Sequence, residues 1–191
     1  MRPFCYTTVM KQLLLVTGNQ HKLREWQAFM PEGMSLNSVD LDLVEIQSAD
    51  PIEIVTNKVR LAYQKLQKPV VVEDVSAGLD KWKGLPGPYI KTFIEELGQD
   101  ALFQLANMEE GTGAVVSCSA AYFDGSQLLT FRADVHGTVV APRGDSSFGF
   151  DVTFVPDGYD QTYAEMPPEL KNAISHRSLA ALGLISQLLN A

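Results

Sequence analysis

The stretch QLLLVTGNQHK, Gln12 to Lys22, decides how the rest of the chain is read. Its apolar run from Gln12 to Thr17 is short and reads as a buried strand. Gly18-Asn19 is a turn signal that stops the strand. Beyond the turn, Leu23, Trp26, Phe29 and Met30 recur at helical spacing, so strand, polar loop and helix follow in order.

A polar, acidic stretch from Ser35 to Pro51 carries Asp40, Asp42, Glu45 and Asp50. It leads into a second helical pattern through Ile54, Val55, Val59, Leu61, Ala62 and Leu66, which Lys68-Pro69 ends. The β-branched run Val70 to Val72 stops at Glu73-Asp74, which puts carboxylates where a buried strand emerges. The turn-forming cluster GLPGP, Gly84 to Pro88, follows. Phe93 to Leu97 and Ala101 to Met108 read as helices broken by Gly98. Ala114 to Phe123 and Leu128 to Val140 read as long strands around Asp124-Gly125, an antiparallel hairpin with a lobe character of its own. Arg143 to Asp151 is a polar loop. From Pro167 the chain reads as helical through to Leu189, with the apolar stripe Leu179, Leu182, Ile185, Leu188. Helix-linked early strands followed by a hairpin predict a mixed α/β sheet with a cleft.

The 191 residues are enough for one domain with a large core. At 46% hydrophobic and 20% charged, with 14 Gly and 10 Pro, the composition excludes disordered and fibrous classes. Acidic residues number 23 against 15 Lys plus Arg, so a broad basic footprint for nucleic acid is not expected. A small nucleotide held by a few local cations remains compatible. Cys5 and Cys118 make no disulfide framework, and a reducing cytoplasm is the expected setting. No apolar run approaches a membrane span. Residues 1–11 show no clear period and are read as an N-terminal arm, with Met10 as a second candidate start; 12–191 are read as a single domain.

Four motifs carry chemistry. In Thr17-Gly18-Asn19-Gln20-His21-Lys22, glycine permits close backbone approach, the helix start offers free N–H groups, and Lys22 adds a charge, so the loop suits phosphate. An ordinary strand-to-helix turn capped by Asn19 accounts for the same residues. Glu45, Glu73 and Asp74 are hard oxygen ligands of the kind that bind Mg²⁺, which needs only one or two protein carboxylates when phosphates complete its shell. A carboxylate beside such a metal can also orient or deprotonate water. Solvated strand-end charges are the alternative. In Phe148-Gly149-Phe150-Asp151, a ring can stack a nucleobase while the acid accepts from ring N–H groups; two core phenylalanines around a glycine turn read equally well. Lys171, His176 and Arg177 lie in KNAISHR, ahead of the apolar stripe, where cations oppose the helix dipole and call for a compensating anion or ligand; a solvated helix face accounts for them equally well.

With these motifs in order, residues 12 to 190 resemble the inosine triphosphate pyrophosphatase family, which hydrolyses deaminated purine nucleoside triphosphates to the monophosphate and pyrophosphate. The resemblance rests on TGNQHK (17–22), VED (72–74), GLPGPYIK (84–91), FGFD (148–151) and KNAISHR (171–177), and PGPYIK and YAEMPP look like the eukaryotic branch. It implies an elongated mixed sheet flanked by helices, two lobes with a central cleft, and a homodimer. It also implies Thr17, Asn19 and Lys22 on the phosphates, Glu45 and Asp74 on Mg²⁺, and Asp74 as the group that activates water. Phe150 matches a base-stacking aromatic with Asp151 beside it; Lys171, His176 and Arg177 match residues that read base and phosphate, and Lys58 and Lys91 match as well. Three departures stand out: Val75 where the family has Ser or Thr, Val152 where it has Pro, and Phe150 where Tyr or Trp is common.

The resulting expectation is a Mg²⁺-dependent hydrolase of inosine, deoxyinosine and xanthosine triphosphates. A non-catalytic nucleotide-binding protein, motivated by Val75, and a pyrophosphatase for modified pyrimidine nucleotides are the alternatives.

Overall fold

A computed structural model describes residues 11–146 and 149–191; the expected arm therefore falls outside the described residues up to Met10, and so does Phe148. The described chain builds one seven-stranded sheet in the order β2-β1-β3-β5-β6-β7, with β4 paired to β3 off this path. The strands are β1 (Lys11–Val16), β2 (Met34–Val39), β3 (Val70–Leu79), β4 (Pro86–Gly87), β5 (Thr112–Phe123), β6 (Leu128–Val139) and β7 (Phe154–Pro156). β1 is parallel to β2 and β3, and the remaining pairings are antiparallel, so the sheet is mixed. The helices are α1 (Gln20–Ala28), α2 (Pro51–Leu66), α3 (Ile90–Leu97), α4 (Ala101–Leu105), α5 (Pro168–Ile174) and α6 (His176–Leu189).

Sequence chemistry sets the helix ends. Asn19 caps α1 by accepting from the backbone N–H groups of His21 and Lys22. Asp50 caps α2 with Pro51 in its first turn, and Gln67 closes it in the left-handed conformation just before Lys68-Pro69.

The core divides along the long strands. Trp26 and Phe29 of α1 and Ala181, Leu184, Ile185 and Leu188 of α6 pack on one face against Leu13, Leu15, Val71 and Tyr122. Val55, Val59 and Ala62 of α2 pack on the other face against Val70, Val72 and Phe123. At the far end, Ala77, Leu79, Ala114, Val116 and Val139 meet Leu102, Phe150, Phe154 and Tyr163. Full burial of a Leu or Val such as Leu15, Val55 or Val59 contributes about 1.5–3 kcal/mol. Between these clusters, the middle of β3 carries Glu73, Asp74 and Val75.

The structure corrects several expectations. The acidic stretch from Ser35 begins inside an edge strand, β2, whose half-buried polar pattern hides it from a hydrophobicity reading. β3 does not stop at Glu73-Asp74 but runs on to Leu79, paired along its length with β5. A buried carboxylate is tolerated in mid-strand because Glu73 is met there by cations. The β5–β6 hairpin forms no lobe of its own, since it contributes to the core clusters at both ends. The C-terminal helix is broken at Ser175, which caps α6 through the Ser178 N–H. Leu179 and Leu182 of the expected stripe are 40% and 47% exposed, and the buried face runs instead through Ala180, Ala181, Leu184, Ile185 and Leu188.

Candidate active site

β1 and β2 end side by side, and the loops that leave their carboxyl ends bound a cleft of about 900 Å³. Ligand clefts in α/β sheets form at such strand ends. Thr17, Gly18, Asn19 and Lys22 line it from the first loop, and Asp40, Asp42 and Glu45 line it from the second. Glu73, Asp74 and Val75 form its middle because β3 continues past the end of β1. Lys58 of α2 and Lys91 of α3 reach in from the sides, and Gly149, Phe150, Asp151 and Arg177 complete the far wall.

The first loop is ordered by its own side chains. Thr17 Oγ1 accepts from the Asn19 N–H at 3.1 Å, and Asn19 Oδ1 then caps the helix. Gly18 lets the Asp40 carboxylate rest on this loop, since a Cβ there would stand 2.7 Å from it and would have to displace that side chain.

Alternation along β3 sends Glu73 and Asp74 to opposite faces. Glu73 faces α1 and α6, where Lys22 Nζ lies 3.0 Å from Oε1 and Arg177 Nε donates at 3.0 Å. The Trp26 indole N–H donates to Oε2 at 2.5 Å. Burial pushes the Glu73 carboxyl up, but Arg177, Lys22 and the Trp26 hydrogen bond outweigh it and hold the group ionised, well below the usual range.

Asp74 stands on the α2 side, and its Oδ2 is buried without a hydrogen-bond partner among the described residues. Burial pushes its carboxyl up to about 6; Lys58 and Lys22 pull it down, while Glu45 and Glu73 push it further up. Lys58 pairs with Glu45 at the cleft edge, and its Nζ lies 3.4 Å from the Glu73 carbonyl oxygen. Among the described residues, no three His, Cys, Asp or Glu side chains form a metal-holding group by themselves. The orphaned Asp74 oxygen, with Glu45 on the same cleft, nevertheless fits a cation whose remaining ligands come from phosphates and water.

At the far wall, Lys171 donates to Asp151 at 2.6 Å and to Glu25 at 3.0 Å, and Arg177 also pairs with Glu25. Burial raises the Asp151 carboxyl, opposed chiefly by Lys171. His176 is fully buried between the Phe150 and Tyr163 rings, with centroids at 5.8 and 6.0 Å. Burial, with Arg177 and Lys171 nearby, keeps its imidazole neutral, and neither ring nitrogen has a hydrogen-bond partner among the described residues.

The cleft thus gathers Thr17, Gly18, Asn19, Lys22, Glu45, Lys58, Asp74, Lys91, Gly149, Phe150, Asp151 and Arg177 of the expected set. Gln20 is exposed outside it. His21 and Lys171 line a smaller cavity of about 320 Å³ behind Asp151, shared with Arg24 and Glu25. His176 sits behind Phe150 rather than on the cleft wall, and Phe150 itself is only 4% exposed. Lys91 stands in the open beside Glu95.

Sequence reading missed Glu25, which bridges Lys171 and Arg177, and Asp40, which rests on the first loop. Glu25 lies three positions after Lys22 on one helix face, but its partners come from the other end of the chain.

The comparisons with known proteins agree with this architecture. A model of the Ham1 family matches residues 13–187. A protein named inosine triphosphate pyrophosphatase from Yarrowia lipolytica is 43% identical over 168 residues, 86% of this chain and 89% of that one. One of the same name from Schizosaccharomyces pombe is 37% identical over 179 residues, 93% of this chain and 95% of that one. A solved Ham1 protein from Coxiella burnetii superposes with a TM-score of 0.79 at 23% identity, covering 95% of this chain and all of that one. The Ham1 protein of Staphylococcus aureus gives 0.74 at 24% identity, covering 94% and 98%. With a family match over nearly its whole length and the fold to go with it, the chain belongs to the Ham1 family.

Proposed function

We propose that the protein is a Mg²⁺-dependent nucleoside triphosphate pyrophosphatase that converts inosine, deoxyinosine and xanthosine triphosphates to the monophosphate and pyrophosphate. The observation that carries this reading is Asp74: a carboxylate at the centre of a nucleotide-sized cleft, with an orphaned buried oxygen and cations of α1 and α2 around it. The two relatives' names support the substrate class. The reading includes the homodimer that the family resemblance implies and the reducing cytoplasm expected from the cysteine usage; no described helix is long and apolar enough to cross a membrane.

Asp74 is ionised at neutral pH and takes a proton from the attacking water as its oxygen bonds to phosphorus. The bridge between the α- and β-phosphates breaks, and Lys22 on the cleft wall stabilises the departing pyrophosphate. Glu45 and Asp74 are the residues that would hold Mg²⁺, which when bound neutralises phosphate charge.

Arg177, which lines the cleft, carries guanidinium donors that favour an oxygen acceptor at purine position 6. The amino group of ATP presents a donor instead, and such a mismatch costs about 1–3 kcal/mol. Specificity constants should therefore fall from inosine and xanthosine triphosphates to GTP and then ATP, read as pyrophosphate release with and without Mg²⁺. Equal constants for ATP and inosine triphosphate would overturn the assignment. Pyrophosphate release from modified pyrimidine nucleotides alone favours that alternative, and none at all favours the non-catalytic one.

Val75 lines the cleft on the Glu73 side, packed toward Cys118, while Ser76 is buried on the opposite face. A hydroxyl at position 75 would donate to a phosphate oxygen. Val75→Ser should raise kcat/KM for inosine triphosphate about tenfold, while the lost methyl groups cost about 1 kcal/mol of stability. Steady-state kinetics and a thermal melt on the same preparation check both. No gain in a folded variant means that other contacts already hold the phosphate.

A further inference from the structure

Glu73 is buried at mid-sheet, yet its carboxylate takes donors from two helices that line the cleft. Lys22, from α1, lies 3.0 Å from Oε1. Arg177, from α6, straddles both oxygens with Nε at 3.0 and 3.1 Å. Oε2 also accepts the Trp26 indole N–H at 2.5 Å, with the Cys118 thiol at 3.8 Å. Trp26 follows Lys22 by one helical turn on α1, so both side chains descend from the same helix face onto the same carboxylate.

Trp26 is fully buried among Leu13, Leu15, Phe29 and Leu36. That packing is apolar and asks for no hydrogen-bond donor. What the indole adds is one directional, charge-assisted bond to an ionised group, shorter and stronger than a neutral one.

We propose that Trp26 is a positioning residue for the nucleotide site: its N–H fixes the Glu73 carboxylate, and through it the stations of Lys22 and Arg177. The inference rests on the function proposed above. Without the N–H, the donors left to Oε2 among the described residues are the shared Arg177 contact and a weak thiol. The terminal torsion of a glutamate is soft, so the carboxylate then turns with its cations. Lys22 follows it away from the phosphates, and Arg177 loses its fixed bearing on the base.

Two substitutions separate the bond from the bulk. Trp26→Phe removes both; β-(3-benzothienyl)alanine at position 26, in a Trp82→Phe background, keeps the bicyclic shape and puts sulfur where the N–H was. In both, kcat/KM for inosine triphosphate should fall about tenfold, mostly through KM, relative to the matching parent. In the parent, the Trp26 indole proton should resonate downfield of that of Trp82, which is 40% exposed, and should shift when inosine monophosphate binds. Parental kcat and KM in the benzothienyl variant would show that only bulk matters and overturn the proposal. An indole signal that inosine monophosphate saturates without moving would overturn it too. If the parent releases no pyrophosphate from any nucleotide, the proposed function is what fails; the indole response to inosine monophosphate is still read on its own.

Discussion

Asp74→Asn is expected to lower turnover by roughly 10²–10⁴-fold and at the same time to stabilise the protein at neutral pH. The two effects share one cause. Burial holds the Asp74 carboxyl near 6 instead of 3.8, so its ionised form is disfavoured in the folded state. A raised carboxyl contributes stability that is complete below pH 3.8 and is lost as pH climbs through about 6. At pH 7 the parent therefore carries a cost of about 2 kcal/mol, after allowing for solvent on the open side of the cleft. Asparagine keeps the shape and carries no charge. Melting curves from pH 4 to 8 should show the variant pulling ahead of the parent as pH rises through this window, and pyrophosphate release should have an acid limb in the parent near the same pH without metal saturation. A variant that turns over like the parent removes Asp74 from the mechanism.

Arg177→Ala is expected to cost about 3–5 kcal/mol of stability. Arg177 is 1% exposed and stands between Glu73 and Glu25, so its removal leaves two acidic groups without their shared cation. With Arg177 present, the Glu73 carboxyl lies below its ordinary value, and its ionised form supports the fold at neutral pH. Without it, burial prevails and the carboxyl is pushed upward. The gap between parent and variant should thus be widest at pH 7 and should narrow as the solution is acidified toward pH 5. Chemical denaturation at both pH values measures this. A gap that widens on acidification would show that Arg177 acts through packing rather than charge.

What could be read in the sequence divides along the range of the interactions. α1 and α2 are local facts: Asn19 and Asp50 cap them, apolar residues recur along them, and Lys68-Pro69 follows the second. The hairpin turn at Asp124-Gly125 is equally local, with Asp124 Oδ1 accepting from Ser126 and Gln127. The end of β3 was hidden because Glu73-Asp74 looks like a strand terminus until Arg177, more than a hundred positions later, arrives to neutralise it. Leu179 and Leu182 fit a helical stripe, yet both are exposed, and the buried face of α6 carries Ala180, Ala181, Leu184, Ile185 and Leu188. In the site, Thr17, Gly18, Asn19 and Glu45, on the loops after β1 and β2, line one cleft. Glu25 and Trp26 did not announce themselves: the first looks like a solvated helix charge and the second like core, and their roles exist only through partners on other elements.

The alternation of β3 also limits how this sequence can drift. Glu73 and Asp74 are adjacent in the chain and serve opposite sides of the sheet, one gripping α1 and α6, the other turned toward α2. Inserting or deleting a single residue upstream in β3 would exchange the two carboxylates between faces and mismatch them both. Point changes around the cleft can be tried one at a time, but the length of this strand cannot vary by one residue without dismantling both partnerships together.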